Sequence, residues 1–188
     1  MNNWTGIFIL GCWVALFTYW MINASNVKQD IEKHISFKYI FLLSAVVVAL
    51  FITMLYRKTF LQRTLWQTSV HLGIVTDVIV LIGLAFAVWA RTILGRNWSA
   101  NIAFKKGHKL IKHGPYSIVR HPIYSGLIFM AIGTAINIGQ VFAFVLLAVY
   151  FVGFNGKCRL EEELMLKHFS KEYNIYKKRV KAIMPYIF

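Results

Sequence analysis

The chain has 188 residues, a length that favours one domain. Hydrophobic residues make up 58% of it and charged residues only 15%, whereas a soluble domain is about half apolar and about a quarter charged. This composition argues against a soluble enzyme and predicts a membrane protein. The formal net charge is +14, which in a soluble protein would indicate a nucleic-acid partner. Here the basic residues lie between long apolar runs, so we expect anionic headgroups beside them and predict no nucleic-acid partner.

Three apolar runs in the first half of the chain predict transmembrane helices, which need about 20 residues to cross the hydrocarbon core. Residues 4–22 carry no charge and have tryptophans near both ends, as an aromatic belt places them. Residues 39–56 form a second uncharged run. Residues 72–90 form the third and contain a single acid, Asp77, for which a functional role and a structural polar contact both stay open.

The uncharged residues 122–156 predict a helical hairpin, because one helix of that length would reach about 52 Å. The turn-like Asn137-Ile-Gly-Gln140 divides the run. Residues 157–188 are polar, with apolar residues every three to five positions, and predict an amphipathic helix that ends at Pro185. The predicted fold is therefore an all-α integral membrane protein with five transmembrane helices and a C-terminal helical hairpin. It is one membrane domain over 1–188, with three N-terminal spans in 1–94 and a core in 95–188.

Lysine and arginine are unevenly distributed among the connecting segments. Eighteen of the twenty-one fall within residues 23–38, 91–121 and 157–188, and only three lie in residues 57–63. The positive-inside rule then places the side that is rich in lysine and arginine in the cytoplasm. With five spans, the N-terminus lies outside. Both large polar segments meet on that side, so we expect the functional site to face the cytoplasm.

The first motif cluster, residues 107–126, reads GHKLIKHGPYSIVRHPIYSG. Gly114-Pro115 predicts a turn, and Pro122 suits the first turn of a helix, where a missing N–H costs little. The residues between them then form a short element at the membrane surface. Exposed N–H groups at this helix start would favour an anion such as a carboxylate. Alternatively, Arg120 and His121 only anchor a span at the headgroups.

The second cluster, Lys157-Cys-Arg-Leu-Glu-Glu-Glu-Leu164, holds three of the seven acids in the chain. It begins where the fifth predicted span leaves the membrane, on the side of the first cluster. A buried glutamate here could bind a cationic ligand, whereas solvated acids would only favour the helix dipole. No cysteine or histidine spacing typical of a metal site occurs, so we predict no metal.

Together the two clusters resemble the isoprenylcysteine carboxyl methyltransferase family, within the wider group that includes phospholipid methyltransferases. The resemblance rests on Gly-Pro-Tyr, Arg-His-Pro-x-Tyr-x-Gly, a helical hairpin and Glu-Glu-x-x-Leu, and covers about residues 95–188. It implies an S-adenosyl-L-methionine cofactor bound without a Rossmann domain, which agrees with the absence of a GxGxxG motif after a strand. It also implies a lipid-linked or prenylated acceptor as the partner.

The resemblance further implies which residues carry the site. A family arginine that faces the acceptor is replaced here by Lys157, with Arg159 two residues on. Lysine gives a point charge and not a bidentate fork, so the identity of the acceptor stays open. The implied catalytic residues are Lys157, Arg159 and Glu161. The implied cofactor-binding residues are His108, Lys109, Leu110, Ile111, Tyr116, His121, Pro122, Ile123, Tyr124 and Glu161.

Three hypotheses remain, namely methyl transfer to either a carboxylate or a phospholipid amine, a membrane reductase, and a scaffold. Methylation of a carboxylate needs no general base, because the acceptor is ionised at neutral pH. Methylation of a phospholipid amine would need a base, for which His121 or a glutamate of the triplet is the candidate. An NADPH-dependent sterol-type membrane reductase would use the basic cleft for phosphates, which the glutamates would repel. A membrane scaffold without catalysis is the third hypothesis.

Overall fold

The computed structural model describes residues 3–23, 28, 30–34, 60–99 and 102–185. Within them lie four α-helices and one antiparallel pair of strands. Three of the helices, all but α3, are long and apolar enough to cross a membrane, and α3 is a shorter apolar helix. The second predicted span, residues 39–56, lies outside the described residues. The elements are α1 Asn3–Asn23, β1 Asp30–His34, α2 Val70–Leu94, β2 Ile102–Lys105, α3 Pro122–Ile138 and α4 Val141–Arg179.

Helices α2 and α3 pack at backbone distance through small residues. A Cβ atom added to Gly83 would lie 2.6 Å from the carbonyl oxygen of Gly126, and a Cβ on Gly126 would lie 2.6 Å from that of Gly83. Lipid does not drive helices together as water does, so close approach of this kind supplies the packing energy. Ala87 and Met130 beside the contact are fully buried. This interface fixes the first turn of α3 against α2.

Helices α3 and α4 form a hairpin, which confirms the predicted break at residues 137–140. Gly139 ends α3 in the left-handed conformation, with φ 62°, and its N–H bonds to the carbonyl of Ala135. The Gly139 carbonyl in turn accepts from the N–H of Leu65 at 2.8 Å. A Cβ on Gly139 would meet the carbonyl oxygen of Trp66 at 2.6 Å, so both conformation and space require glycine here.

Two parts of the fold differ from the prediction. Helix α4 runs for 39 residues and ends at Arg179 rather than at Pro185, interrupted only at Ser170 (φ 34°, ψ −102°). Nothing between residues 156 and 170 stops a helix, because a rise in charge marks the membrane surface without breaking hydrogen bonds. The strand pair was also not predicted in an all-α chain, since β1 and β2 are short and distant in sequence.

The three basic segments meet at one end of the molecule. Nζ of Lys28 donates to Oδ1 of Asn97 and to the carbonyl oxygen of Gly107, both at 2.8 Å. Nζ of Lys167 lies 2.7 Å from Oε1 of Glu32. The α3–α4 turn and residues 64–66 lie at the opposite end. This arrangement brings both motif clusters to the basic end.

Candidate active site

A cavity of about 340 Å³ opens at the basic end, within the size range of small-molecule sites. Its walls come from the ends of α1 and α2, the connection between α2 and α3, the start of α3 and the middle of α4. Apolar side chains form one part of the lining, namely Trp20, Leu94, Leu127 and Phe154.

The structure places every implied cofactor residue, His108, Lys109, Leu110, Ile111, Tyr116, His121, Pro122, Ile123, Tyr124 and Glu161, in the lining of this cavity. Of the implied catalytic residues, Lys157 and Glu161 line it as well. Arg159 does not, because it is exposed on another face of α4. Residues that the sequence did not single out complete the wall, namely Asn97, Trp98, Ser99, Tyr173 and Tyr176.

Tyr116 is held by the turn that Gly114 and Pro115 form. Gly114 adopts φ 61°, and the single helical turn Gly114–Ser117 follows. The Tyr116 carbonyl accepts from the hydroxyl of Tyr176 at 2.6 Å, which ties the turn to α4. Burial and then the charge of Glu161 raise the pKa of Tyr116 well above its ordinary value, so its hydroxyl keeps its proton.

The end of the chain fastens the start of α3. The backbone N–H of Arg120 donates to the carbonyl of Lys181 at 2.8 Å, and that of His121 donates to the carbonyl of Ala182 at 2.9 Å. The Ser125 hydroxyl adds a bond to the Ile183 carbonyl. Residues beyond α4 therefore form an extended strap along the first motif cluster, a role that sequence reasoning missed.

Glu161 joins the two motif clusters. The hydroxyl of Tyr124 donates to Oε1 of Glu161 at 2.6 Å, and Nδ1 of His121 lies 3.5 Å from Oε2. The glutamate side chain is 23% exposed and lines the cavity, so part of its carboxylate is available to a ligand. The predicted proximity of the two clusters is confirmed, and it places a negative charge in a cavity wall.

Glu162 turns away from the cavity into the protein. Its carboxylate accepts from Nε of Arg120 at 2.8 Å and from Nζ of Lys177 at 2.7 Å, and Nε2 of His121 lies 3.3 Å away. Only 8% of its side chain is exposed, whereas Glu163 is exposed. Consecutive helical residues point in different directions, so three adjacent glutamates can share one motif and have three environments.

His121 lies between the two glutamates, with one ring nitrogen facing each. Burial alone would lower its pKa, but hydrogen bonds with Cys158, Glu161 and Glu162 raise the pKa of His121 well above its ordinary value. The ring is therefore an imidazolium at neutral pH. Since the side chains of Arg120 and His121 are only 8% and 9% exposed, the structure places them inside the protein and not at the headgroups.

Lys157 lies one helical turn before Glu161, on the same side of α4. Its Nζ is 5.4 Å from the centre of the Tyr124 ring, a cation–π contact. The ring of Phe154 also stacks on the ring of Tyr124, with 4.8 Å between the two ring centres. The cavity thus presents an ammonium group and a carboxylate beside an aromatic wall.

His108 borders the cavity from the β2 side. Its ring stacks on Phe104 at 5.0 Å, and Phe104 stacks on His168 at 3.7 Å. Burial, followed by the proximity of Lys28, Lys105 and His168, lowers the pKa of His108 to about 4. This histidine is therefore neutral at pH 7. No group of three metal-ligating side chains exists among the residues that the structure describes.

Comparisons with known proteins identify the family of the chain. Residues 75–168 match the model of the "Isoprenylcysteine carboxyl methyltransferase (ICMT) family". A probable protein-S-isoprenylcysteine O-methyltransferase of Oryza sativa subsp. indica is 34% identical over 115 residues, 58% of this chain and 59% of the rice protein. The protein-S-isoprenylcysteine O-methyltransferase of Saccharomyces cerevisiae is 33% identical over 113 residues, 58% of this chain and 47% of the yeast protein. The chain thus spans about half the length of these relatives.

A solved structure shows the same fold. The eukaryotic intramembrane Ras methyltransferase ICMT superposes with a TM-score of 0.56 over 84% of this chain and 55% of that chain, at 23% identity. The fold is that of a helical, multi-pass integral membrane protein. The chain belongs to the isoprenylcysteine carboxyl methyltransferase family, as the two motif clusters predicted.

Proposed function

We propose that this protein transfers the methyl group of S-adenosyl-L-methionine to the carboxylate of an isoprenylcysteine-like acceptor and forms a methyl ester. The observation that carries the proposal is the presence of Glu161 and Lys157 on one wall of one cavity, beside the histidine-rich stretch of the first cluster. The relatives named above are protein-S-isoprenylcysteine O-methyltransferases.

The cavity fits the chemistry of the cofactor. Glu161, held by Tyr124, is suited to the α-ammonium group, because a charge-assisted hydrogen bond in a partly buried wall is stronger than one in water. His108 is neutral and so does not repel a sulfonium cation. We assign Lys109, Leu110, Ile111, Tyr116 and the His121–Tyr124 stretch to the remainder of the cofactor. When bound, the cofactor supplies a methyl group with its own leaving group.

The acceptor needs neutralisation and alignment but no general base. Its carboxylate is already ionised at neutral pH, and Lys157 would pair with it. The bound cofactor would supply the methyl group to one carboxylate oxygen and would keep the electron pair of the broken bond on its sulfur, so no residue of this chain would have to take up a proton. Phe154 and Leu127 give an apolar surface for the prenyl chain, which would enter sideways between spans. The site's contribution is alignment and exclusion of water.

The state of His121 favours this acceptor over an amine. Methylation of a protonated amine requires a base that removes a proton. His121 is held as an imidazolium between two carboxylates, which leaves Glu161 as the candidate base, and Glu161 is assigned above to the cofactor's ammonium group. A nicotinamide reductase is disfavoured for a different reason, because Glu161 would face the cofactor's phosphates.

We also infer five spans, with the cavity facing the cytoplasm. Thr5 of α1 contacts Asn137 at the far end, and α1 reaches the cavity through Trp20. Strand β1 lies at the cavity end, and residues 64–66 lie at the far end. The fifth span of the proposal is the one that the sequence predicts in the uncharged residues 39–56. The basic end is the cytoplasmic one by the positive-inside rule.

Methyl transfer from radiolabelled cofactor in lipid nanodiscs tests this proposal. The acceptor is an S-farnesylcysteine derivative with a free carboxylate, and the matched control is its carboxamide, which has the same shape and no charge. We expect base-labile label on the carboxylate and none on the carboxamide. Label on phosphatidylethanolamine, or NADPH consumption without label, would contradict it.

A further inference from the structure

Glu162 occupies a position that the reaction itself does not explain. It contacts neither the cavity nor any group assigned above to the cofactor or acceptor, except His121. Burying a carboxylate is costly unless cations pair with it. Here Arg120 comes from the turn before α3 and Lys177 from the last turn of α4.

The connection to the cavity runs through one imidazole ring. Nε2 of His121 lies 3.3 Å from Oε1 of Glu162, and Nδ1 lies 3.5 Å from Oε2 of Glu161. An imidazolium has two N–H donors, whereas a neutral imidazole has one. Only the charged ring can therefore donate to both glutamates at once.

We propose that Glu162 is a positioning residue, which acts through His121 to keep Glu161 oriented toward the cavity. Its carboxylate holds the Nε2 side of the ring, and the ring's other N–H then stays directed at Glu161. Without Glu162 the ring loses one anionic partner. A neutral ring carries its single N–H on one nitrogen at a time, so it is not held by a donor bond on both sides, and the Glu161 carboxylate would be less well fixed.

The surroundings of His121 identify the groups that set its charge. Its ring stacks on Tyr124 at 5.8 Å, and its backbone N–H is bonded to the Ala182 carbonyl. Arg120 and Lys177 both pair with the Glu162 carboxylate, on the Nε2 side of the ring. The titratable groups that face the ring are Cys158, Glu161 and Glu162 on α4 and Tyr124 on α3. Glu162 is thus one of two carboxylates that keep the imidazole protonated.

The test compares Glu162→Gln, which keeps shape and removes charge, with Glu163→Gln as the matched control. Glu163 is the next residue on the helix and is exposed. The first readout is the ¹⁵N NMR titration of the His121 ring. The ring signal is assigned by its disappearance in His121→Asn. We expect the ring to titrate well above its ordinary pH of about 6.5 in the wild type and Glu163→Gln, and at a clearly lower pH in Glu162→Gln.

The second readout is the pH profile of methyl transfer. This inference rests on the proposed function, and the NMR titration separates the two, because it needs no activity. Between about pH 6 and about pH 8.5 we expect Glu162→Gln to lose roughly tenfold in kcat/KM for the cofactor as His121 deprotonates, with no comparable loss in the wild type. A Glu162→Gln protein that is only less stable, with an unshifted ring titration and a wild-type pH profile, would overturn the proposal.

Glu162→Asp provides a second variant if the neutral one fails to fold. It retains the charge but shortens the side chain by one methylene group, which lengthens the contact with Nε2. We expect the His121 titration to move in the same direction by a smaller amount, and the activity profile to move with it. An unchanged titration in Glu162→Asp, despite a longer contact, would contradict the assignment.

Discussion

The hydroxyl of Tyr124 donates a 2.6 Å hydrogen bond to Glu161 and joins the first turn of α3 to the middle of α4. Tyr124→Phe removes this donor and keeps the ring. A hydrogen bond to a charged group contributes about 1.5–3 kcal/mol, so we expect the Kd for the cofactor to rise by roughly 10- to 100-fold. Calorimetric titration of the purified protein checks it. Tyr150→Phe, which lies outside the cavity lining, is the matched control, and equal Kd values in the two variants would contradict the role given to Tyr124.

Lys157 is expected to act on the acceptor and not on the cofactor. In Lys157→Met the acceptor carboxylate loses its counter-charge in a partly buried site, so its KM should rise by about tenfold or more, while cofactor affinity stays within about twofold. Steady-state kinetics with each substrate varied separately measures both values. Arg159→Met serves as the comparison, because Arg159 is exposed and lies outside the cavity lining. A larger effect in Arg159→Met would reverse the assignment.

Close packing of α2 on α3 is expected to limit stability. Gly83→Ala places a Cβ 2.6 Å from the carbonyl oxygen of Gly126, so the helices have to separate. Overpacking of this kind costs about 1–3 kcal/mol, and the unfolding midpoint in detergent should fall by several degrees. Gly11→Ala is the control, since nothing lies within 4 Å of its added Cβ. Equal unfolding midpoints for the two variants would show that the α2–α3 contact is not close.

His108 should make the folded protein less stable at acidic pH. Its pKa is about 4 in the folded protein and about 6.5 in the unfolded chain, so the unfolded state binds the extra proton between these values. Stability from this group is therefore fully present above about pH 6.5 and is lost as pH falls toward about 4. Across that pH range, the thermal unfolding midpoint should fall more steeply with decreasing pH in the wild type than in His108→Asn. Parallel curves would mean that His108 titrates normally.

Sequence reasoning succeeded where a signal is local. The apolar runs of α1 and α2 and the glycine at 139 identify membrane helices and a turn without knowledge of the fold. Cavity residues such as His108 and Tyr124 were reached through the family resemblance, because no rule of spacing joins positions so far apart in sequence. The continuation of α4 past residue 156 was missed because polar composition marks a membrane surface and not a helix terminus.

Other features depend on long-range contacts that no local pattern encodes. Strands β1 and β2 are short, and their pairing joins Glu32 with Phe104. The family resemblance indicated Glu161, but only the rotation of the helix shows that Glu161 lies in the cavity wall and Glu162 against Arg120. The strap of residues 180–183 was unpredictable for a similar reason, since its bonds come from the backbone at 120 and 121 and from the hydroxyl of Ser125, all distant in sequence.

Binding of S-adenosylmethionine to Glu161→Gln, compared with Glu163→Gln, tests the central claim most directly. Both variants remove one negative charge from the same helix, but only Glu161 lines the cavity. Titration calorimetry in nanodiscs should show a loss of at least about tenfold in affinity for Glu161→Gln and a wild-type Kd for Glu163→Gln. Wild-type affinity in Glu161→Gln would contradict the account, because the cavity between the two motif clusters would then not be the cofactor site.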